Sequence, residues 1–440
     1  MRTLVDRGLT GLARLALRGF FRRLGIVGQD HLPHDRPTLL VANHFNALLD
    51  AVLLMRAVEG LPRFVAKAAL WRPRWARPFL WLAGMVPVER RQDGGNPSRN
   101  HRMFTSCSDH LIAGTPVALF PEGGLAATPM LRPVRTGAAR IALAARSAGA
   151  ERLVIVPVGL LYEDKVALRS RALVRIGEPI DLDEELREAG CEHAGPSDQA
   201  AVRVVTDEIE RRLRALAPAY RDEREAAALG RAADIVLQPR DQLPPGEVPL
   251  ERREELARRL ADAPEDAKER LLDHLARYLL GLSLVGLRDA YLVAPYRVRR
   301  LAGLLVSAIS KLALVAPFAA VGAIINALPY WGVHWAGRFV HDPALRASAR
   351  LLAGVALFPA TWLIVAWLAP WDAWWARATV VAVAPVLGLL AVRALEQIVE
   401  VRRTWRGWIS LIERSDTLEQ LRAERQHLVD LIEATAAPSR

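Results

Sequence analysis

Cysteine is scarce in this sequence: two residues, Cys107 and Cys191, in a chain of 440. Two thiols so far apart give no disulfide framework and no metal-ligand spacing, so reduced structural thiols in a reducing compartment are expected. No cluster of His, Cys, Asp and Glu has ligand spacing either, and no metal is expected. The chain has no basic–aromatic nucleic-acid module and is 52% hydrophobic, so nucleic acid is not an expected partner. The first apolar stretch is broken up by arginines, which excludes a secretory signal peptide there.

What the chain has is positive charge and apolar length. Lys and Arg outnumber Asp and Glu by 59 to 48, a formal net charge of +11. Such a balance suits a negatively charged membrane surface or anionic substrates. The length allows two or three domains, and the composition changes at four places. Residues 1–30 are expected to form an amphipathic membrane-associating helix, over 3–24. Val5, Leu9, Leu12, Ala16 and Phe20 share one face, with Arg7, Arg14 and Arg18 opposite. An in-plane anchor and an ordinary helix packed on the domain are both open. Residues 31–215 read as a catalytic-type α/β domain, 216–300 as a helical linker region, 301–395 as a membrane domain and 396–440 as a helical tail.

In the α/β domain, strand-like runs lie at Thr38–Ala42, Arg63–Ala66, Val86–Val88, Val117–Phe120, Leu153–Leu160 and Ala172–Ile176. Helical stretches such as Asn100–Ala113 and Thr136–Ala148 lie between them. That alternation predicts a mostly parallel sheet with helices on both faces.

The first of these strands delivers Asn43-His44 to a strand end, with Asp50 six positions on. Histidine is the side chain best matched to proton transfer near neutral pH. A carboxylate that accepts its Nδ1–H fixes the tautomer and leaves Nε2 as a base. No Ser or Cys adjoins His44 as a nucleophile, so the simplest chemistry deprotonates a hydroxyl of the substrate. The other strands end on Lys67, on Arg90 and on Phe120-Pro121-Glu122-Gly123-Gly124, and Val156-Pro157-Val158-Gly159 follows. Sheets of this type bind ligands at the carboxyl ends of their strands. His44, Lys67, Arg90 and Glu122 are therefore expected to converge as a base, two cations suited to phosphate and a turn with exposed backbone.

The order and spacing of these four motifs resemble the glycerolipid acyltransferase family, which includes glycerol-3-phosphate and lysophosphatidic acid acyltransferases. The resemblance covers about residues 36–180. Five residues separate His44 from Asp50 where the commoner pattern has four, and Glu122-Gly123-Gly124 lacks the Thr-Arg that often follows. Both features resemble the branch that contains the fungal glycerol-3-phosphate/dihydroxyacetone-phosphate acyltransferases. The resemblance implies that His44 takes a proton from a glycerol hydroxyl, which attacks an acyl thioester, and that Asp50 orients His44. It implies that Arg90, with Lys67 and Arg135 as further candidates, binds the acceptor phosphate. Asn43, Glu122, Gly123 and Gly124 would complete the substrate site, and Pro157 and Val158 would line a channel. It implies no cofactor beyond an acyl-CoA or acyl carrier protein thioester as co-substrate. The expected acceptor is glycerol-3-phosphate or a 1-acylglycerol-3-phosphate, in phospholipid biosynthesis. A lysophospholipid acyltransferase of lipid remodelling and a non-enzymatic lipid-binding protein on this fold are the alternatives.

Leu312–Val333 and Leu351–Trp371 contain no charge, and Ala378–Val392 is a third apolar run, preceded by Trp371, Trp374 and Trp375 as an interfacial belt. About 20 apolar residues span a bilayer, so an integral membrane protein in contact with membrane lipids is expected. Arginines flank every end except the Pro370–Arg377 turn, which places the catalytic domain in the cytoplasm. The same rule makes the second and third runs a spanning hairpin. The first must then return to its own side, by a break near Pro317 and Gly322. In the tail, Asp416 reads as an N-cap. Leu421/Leu428 and Leu418/Ile432 form two short heptad rows; packing on the rest of the protein is expected, and self-association through this helix is open.

Overall fold

The computed structural model describes residues 2–437, apart from 75–76, 91–93, 97–99, 127, 240–246, 294–297, 371–372 and 414. The chain divides into two compact units, Met1–Arg221 with Val340–Ser348, and Asp222–Phe339 with Ala349–Arg440.

In the first unit, helix α1 (Arg2–Phe20) runs into strand β1 (Phe21–Val27). Strand β2 (Thr38–Ala42), α2 (Leu48–Ala57), β3 (Arg63–Lys67), α3 (Arg77–Leu82) and β4 (Val86–Val88) follow. Then come α4 (His101–Ile112), β5 (Val117–Leu119), α5 (Gly137–Ser147), β6 (Val154–Tyr162), β7 (Ser170–Ile176) and β8 (Ile180–Asp181). Helices α6 (Leu182–Glu188) and α7 (Gln199–Leu216) close the unit. The eight strands form one sheet in the order β1-β7-β6-β2-β5-β3-β4, with β8 on β6. Pairs β1/β7, β2/β6, β2/β5, β3/β5 and β3/β4 are parallel. Only β7 and β8 run antiparallel to β6.

The central strands β2, β5 and β6 are buried on both sides, as their unbroken apolar runs require. Leu39 and Val41 of β2, Val117 of β5 and Ile155 of β6 share a core with Cys107, Ile141, Val205 and Ile209 from the helices. Leu40 and Ala42 point the opposite way and are equally buried.

The helix expected over 3–24 stops at Phe20, because Phe21–Val27 pairs with β7 as an edge strand. The buried stripe of α1 is Thr10, Ala13, Leu17 and Phe20. It is rotated from the expected one, and Leu12 is exposed. This stripe packs α1 against α2 and β1.

The second unit is helical: α8 (Glu223–Leu237), α9 (Leu250–Ala261), α10 (Glu265–Val285), α11 (Val298–Ala336), α12 (Pro343–Leu368, of which residues 343–348 belong to the first unit), α13 (Trp374–Glu413) and α14 (Ser415–Ala436). Three helical stretches, Leu305–Ala336, Leu345–Leu368 and Trp374–Arg402, are long and apolar enough to cross a membrane. The expected break near Pro317 and Gly322 is absent: α11 runs unbroken through 39 residues, about 58 Å at 1.5 Å per residue. Close packing on α13 accounts for this. A Cβ on Gly322 would sit 2.1 Å from the carbonyl oxygen of Leu387, so only glycine lets the two backbones approach there. Four residues on, the Asn326 amide donates to the carbonyls of Gly322 and Ala384 and accepts from Trp362 Nε1. A fully satisfied buried amide ties α11, α12 and α13 together, where an unsatisfied one would be costly.

Trp374 and Trp375 are exposed at the start of α13, while Trp371 lies outside the described residues. Helix α14 begins at Ser415, so the expected N-cap, Asp416, is inside it. Leu418, Leu421, Leu428 and Ile432 are buried as α14 packs on α8, α9 and α10.

Candidate functional site

Because β2, β3, β4 and β5 are parallel, the residues that follow them share one edge of the sheet. After Ala42 the β2 ladder ends, and the Asn43 side chain continues it. Its Oδ1 accepts from Leu160 N at 2.6 Å and its Nδ2 donates to Leu160 O at 2.9 Å. Both ends of the buried amide are thereby committed to β6, and Asn43 anchors the strand end beneath the site.

His44 and Asp50 meet. On a regular helix a separation of six residues puts side chains about 240° apart, on different faces. The chain avoids this by starting α2 only at Leu48 and turning sharply before it, with Ala47 at φ 43°, ψ −113°. A positive φ at a residue with a Cβ is strained, and here it brings Asp50 back over the turn. Asp50 Oδ2 lies 2.8 Å from His44 Nδ1 and accepts from the backbone N–H of Phe45 and Asn46 at 2.7 and 2.8 Å. Its Oδ1 accepts from the Tyr162 hydroxyl. The carboxyl group is fully buried. Burial first, and the Asp50 charge second, push the Tyr162 hydroxyl well above its usual range, so Tyr162 stays a donor.

Two further groups hold the imidazole. The His44 ring stacks on Phe120, centroids 3.9 Å apart and planes within 7°. Its backbone N–H donates to Glu122 Oε1 at 2.8 Å. The other Glu122 oxygen accepts from Arg132 N at 3.0 Å. Glu122 is thus buried and occupied by two backbone donors, so it braces the turn under His44. Burial raises its carboxyl to about 7. A folded-state value above the unfolded one means that the folded protein binds more protons between about 4.5 and 7, so this group's contribution to stability declines as pH rises through that window. Glutamine cannot titrate. The melting temperature of the wild type, relative to Glu122→Gln, is therefore expected to fall between about pH 5 and pH 7.5. A difference that stays flat over that range in thermal scans would contradict the raised value.

The FPEGG turn gathers cations. Arg90 Nη1 donates to Gly123 O at 2.5 Å. Gly123, at φ +67°, has the Arg135 side chain packed over it, so a Cβ there would stand 2.9 Å from Arg135 Cδ. Gly124 lies against Arg132, whose Nη1 donates to Leu125 O. The arrangement thus brings Arg90, Arg135, Gly123, Gly124 and Glu122 to one turn, which the Glu122 bond connects to His44. Lys67 is exposed at the end of β3, in register with Val88 two residues before Arg90. Among the described residues no group of three or more His, Cys, Asp or Glu could hold a metal ion.

Sequence reasoning missed four of these groups: Phe120, Arg132, Tyr162 and Ser348. The Ser348 hydroxyl donates to Asn46 O at 2.7 Å and accepts a long bond from Leu49 N. It therefore clamps the strained turn between His44 and Asp50 from a segment about 300 residues away in sequence. Phe120 could have been found from its place in the FPEGG motif. The other three carry no local signal.

Residues 23–161 match the acyltransferase family. Over 85 residues the chain is 41% identical to glycerol-3-phosphate O-acyltransferase 2 of Saccharomyces cerevisiae, 19% of this chain and 11% of that protein. Over 150 residues it is 27% identical to human 1-acyl-sn-glycerol-3-phosphate acyltransferase alpha, 34% of this chain and 50% of that protein. The crystal structure of the 1-acyl-sn-glycerophosphate acyltransferase of Thermotoga maritima aligns with 17% identity and a TM-score of 0.35, over 47% of this chain and 77% of that one. The chain spans half or less of the length of these curated relatives. The match to the acyltransferase family thus covers the segment that carries β2 to β6, and the relatives just described are named as a glycerol-3-phosphate O-acyltransferase and a 1-acyl-sn-glycerol-3-phosphate acyltransferase.

Proposed function

We propose that the protein is a membrane O-acyltransferase that moves a fatty acyl chain from a thioester, acyl-CoA or acyl carrier protein, to a hydroxyl of a phosphorylated glycerol. The observation that carries this reading is the buried Asp50 carboxylate 2.8 Å from His44 Nδ1, on a domain whose relatives transfer acyl groups to glycerol phosphates. Asp50 engages Nδ1 and so leaves Nε2 as the basic nitrogen. The acceptor hydroxyl gives its proton to Nε2 as its oxygen attacks the thioester carbonyl. The tetrahedral adduct then expels the thiolate, which takes the proton from the imidazolium, and an ester is left. Tyr162, Phe120 and Ser348 hold the dyad in place, and Asn43 and Glu122 fix the strand end and turn that carry it. Arg90, Arg135 and Lys67 supply positive charge for the acceptor phosphate. The three apolar helices fit a membrane protein. Arg338, Arg346 and Arg350, around the turn from α11 into α12 whose residues 340–348 belong to the first unit, support a cytoplasmic catalytic unit.

Arg90 tests the acceptor assignment. A guanidinium that binds phosphate equally in ground and transition states affects KM more than kcat. Losing one charge-assisted contact, worth about 1.5–3 kcal/mol, should raise the acceptor KM of Arg90→Ala about 10- to 100-fold, with the thioester KM unchanged. A raised thioester KM with an unchanged acceptor KM would assign Arg90 to the donor.

A further inference from the structure

The connection from β3 to β4 differs in chemistry from the rest of the first unit. Between Glu59 and Glu89 the chain has no acidic residue, yet it has Lys67, Arg72, Arg74 and Arg77, all four exposed. The same connection holds out large apolar side chains. Leu70 is 40% exposed, Phe79 67%, Trp81 78% and Leu82 42%.

Helix α3 has six residues and buries none of them. Isolated helices below about 12–15 residues are marginal in water, and a helix on a globular surface ordinarily buries an apolar stripe. Helix α3 does neither, but its shape is fixed locally. Arg77 Nε donates to Trp71 O at 2.9 Å, which closes the loop ahead of the helix. Behind it, Gly84 at φ +64° lets Gly84 N reach Trp81 O and Met85 N reach Leu80 O, at 2.9 and 3.0 Å. These are the two bonds of a Schellman C-cap. The backbone is therefore held in a form that keeps Phe79 and Trp81 away from the core.

Aromatic side chains mixed with arginines, in a connection that carries no acid of its own, suit the boundary between lipid headgroups and acyl chains. Anionic headgroups complement the local charge. We propose that α3 and the loop before it form a membrane-docking surface for an anionic bilayer. Phe79 and Trp81 enter the acyl boundary, and Arg72, Arg74 and Arg77 lie against lipid phosphates. Lys67 begins this connection and Arg90 follows β4 at its end, so the docked surface would set the sheet edge that carries His44 at the lipid interface. The inference goes beyond the acyl-transfer reading, and its readout is a side chain's position, independent of turnover.

The test uses the full chain in phosphatidylcholine–phosphatidylglycerol vesicles. Trp81→Cys or, as a second site, Phe79→Cys is combined with Cys191→Ser; Cys107 is buried. The introduced thiol carries a small fluorophore, and Glu188→Cys, exposed at the end of α6, is the aqueous control. Iodide in water should quench the control and fail to quench positions 79 and 81. Shallow nitroxide lipids should do the reverse, and vesicles of phosphatidylcholine alone should weaken their effect. Equal iodide quenching at 81 and 188 would overturn the proposal. Protection at 81 from both quenchers would also overturn it, by showing that protein covers the surface. Lipid quenching of the same strength in neutral vesicles would overturn the assignment to anionic lipid.

Discussion

His44→Ala is expected to lower kcat about 10²–10⁴-fold, the usual share of a positioned general base, with a smaller effect on either KM. The alanine removes the imidazole that the Asp50 carboxylate faces, and the nearby Ser348 hydroxyl is committed to the turn through Asn46 O and Leu49 N. The fold should survive, because His44 is held by stacking on Phe120 and by its own backbone N–H, and the backbone bond remains in the variant. Steady-state kinetics with purified protein can check both the kcat and the two KM values. Full activity in His44→Ala would remove the base from the mechanism.

The second large effect is expected at Asp50, where two substitutions should separate chemistry from folding. Asp50 Oδ2 accepts three N–H groups, two of them backbone. An asparagine can place its oxygen there and turn its amide N–H₂ toward Tyr162, whose hydroxyl can also accept. Asp50→Asn should therefore fold, and it should lose the negative charge that stabilises the imidazolium. More activity should survive in it than in His44→Ala. An alanine leaves the Phe45 and Asn46 N–H groups buried without an acceptor, at about 1–3 kcal/mol each. A domain holds about 5–15 kcal/mol in total, so Asp50→Ala should melt well below both the wild type and Asp50→Asn. Equal melting temperatures for the two Asp50 variants would show that the carboxylate does not hold the turn.

Much of this architecture is legible in the sequence because parallel strands buried on both faces are short apolar runs. Thr38–Ala42 and Val86–Val88 could be read to the residue, and their common direction puts His44, Arg90 and Glu122 on one edge. Strand β1 is not legible. Its Arg22 and Arg23 interrupt the alternation, and its partner β7 lies about 150 residues away. The antiparallel turn of β7 against β6 is equally hidden. At the site, residue types and spacing identify His44 and Asp50, but they do not reveal how the two meet, which depends on one strained residue, Ala47. Tyr162 and Ser348 reach the dyad from 112 and about 300 residues away, and no local pattern marks such contacts. The reading of Pro317 and Gly322 as a break failed because tertiary packing overrides a helix breaker: the small residue that suggested a bend is the one that lets α13 approach.

The most direct test of the account is acyl transfer itself. Purified protein in lipid would be given a radiolabelled acyl thioester with glycerol-3-phosphate, with a 1-acylglycerol-3-phosphate, with a lysophospholipid bearing a larger headgroup, and with glycerol. A labelled ester of at least one of the first two is expected, formed at His44-dependent rates, with little or none from glycerol. No transfer to either phosphorylated acceptor, or transfer to glycerol at the same rate, would contradict it.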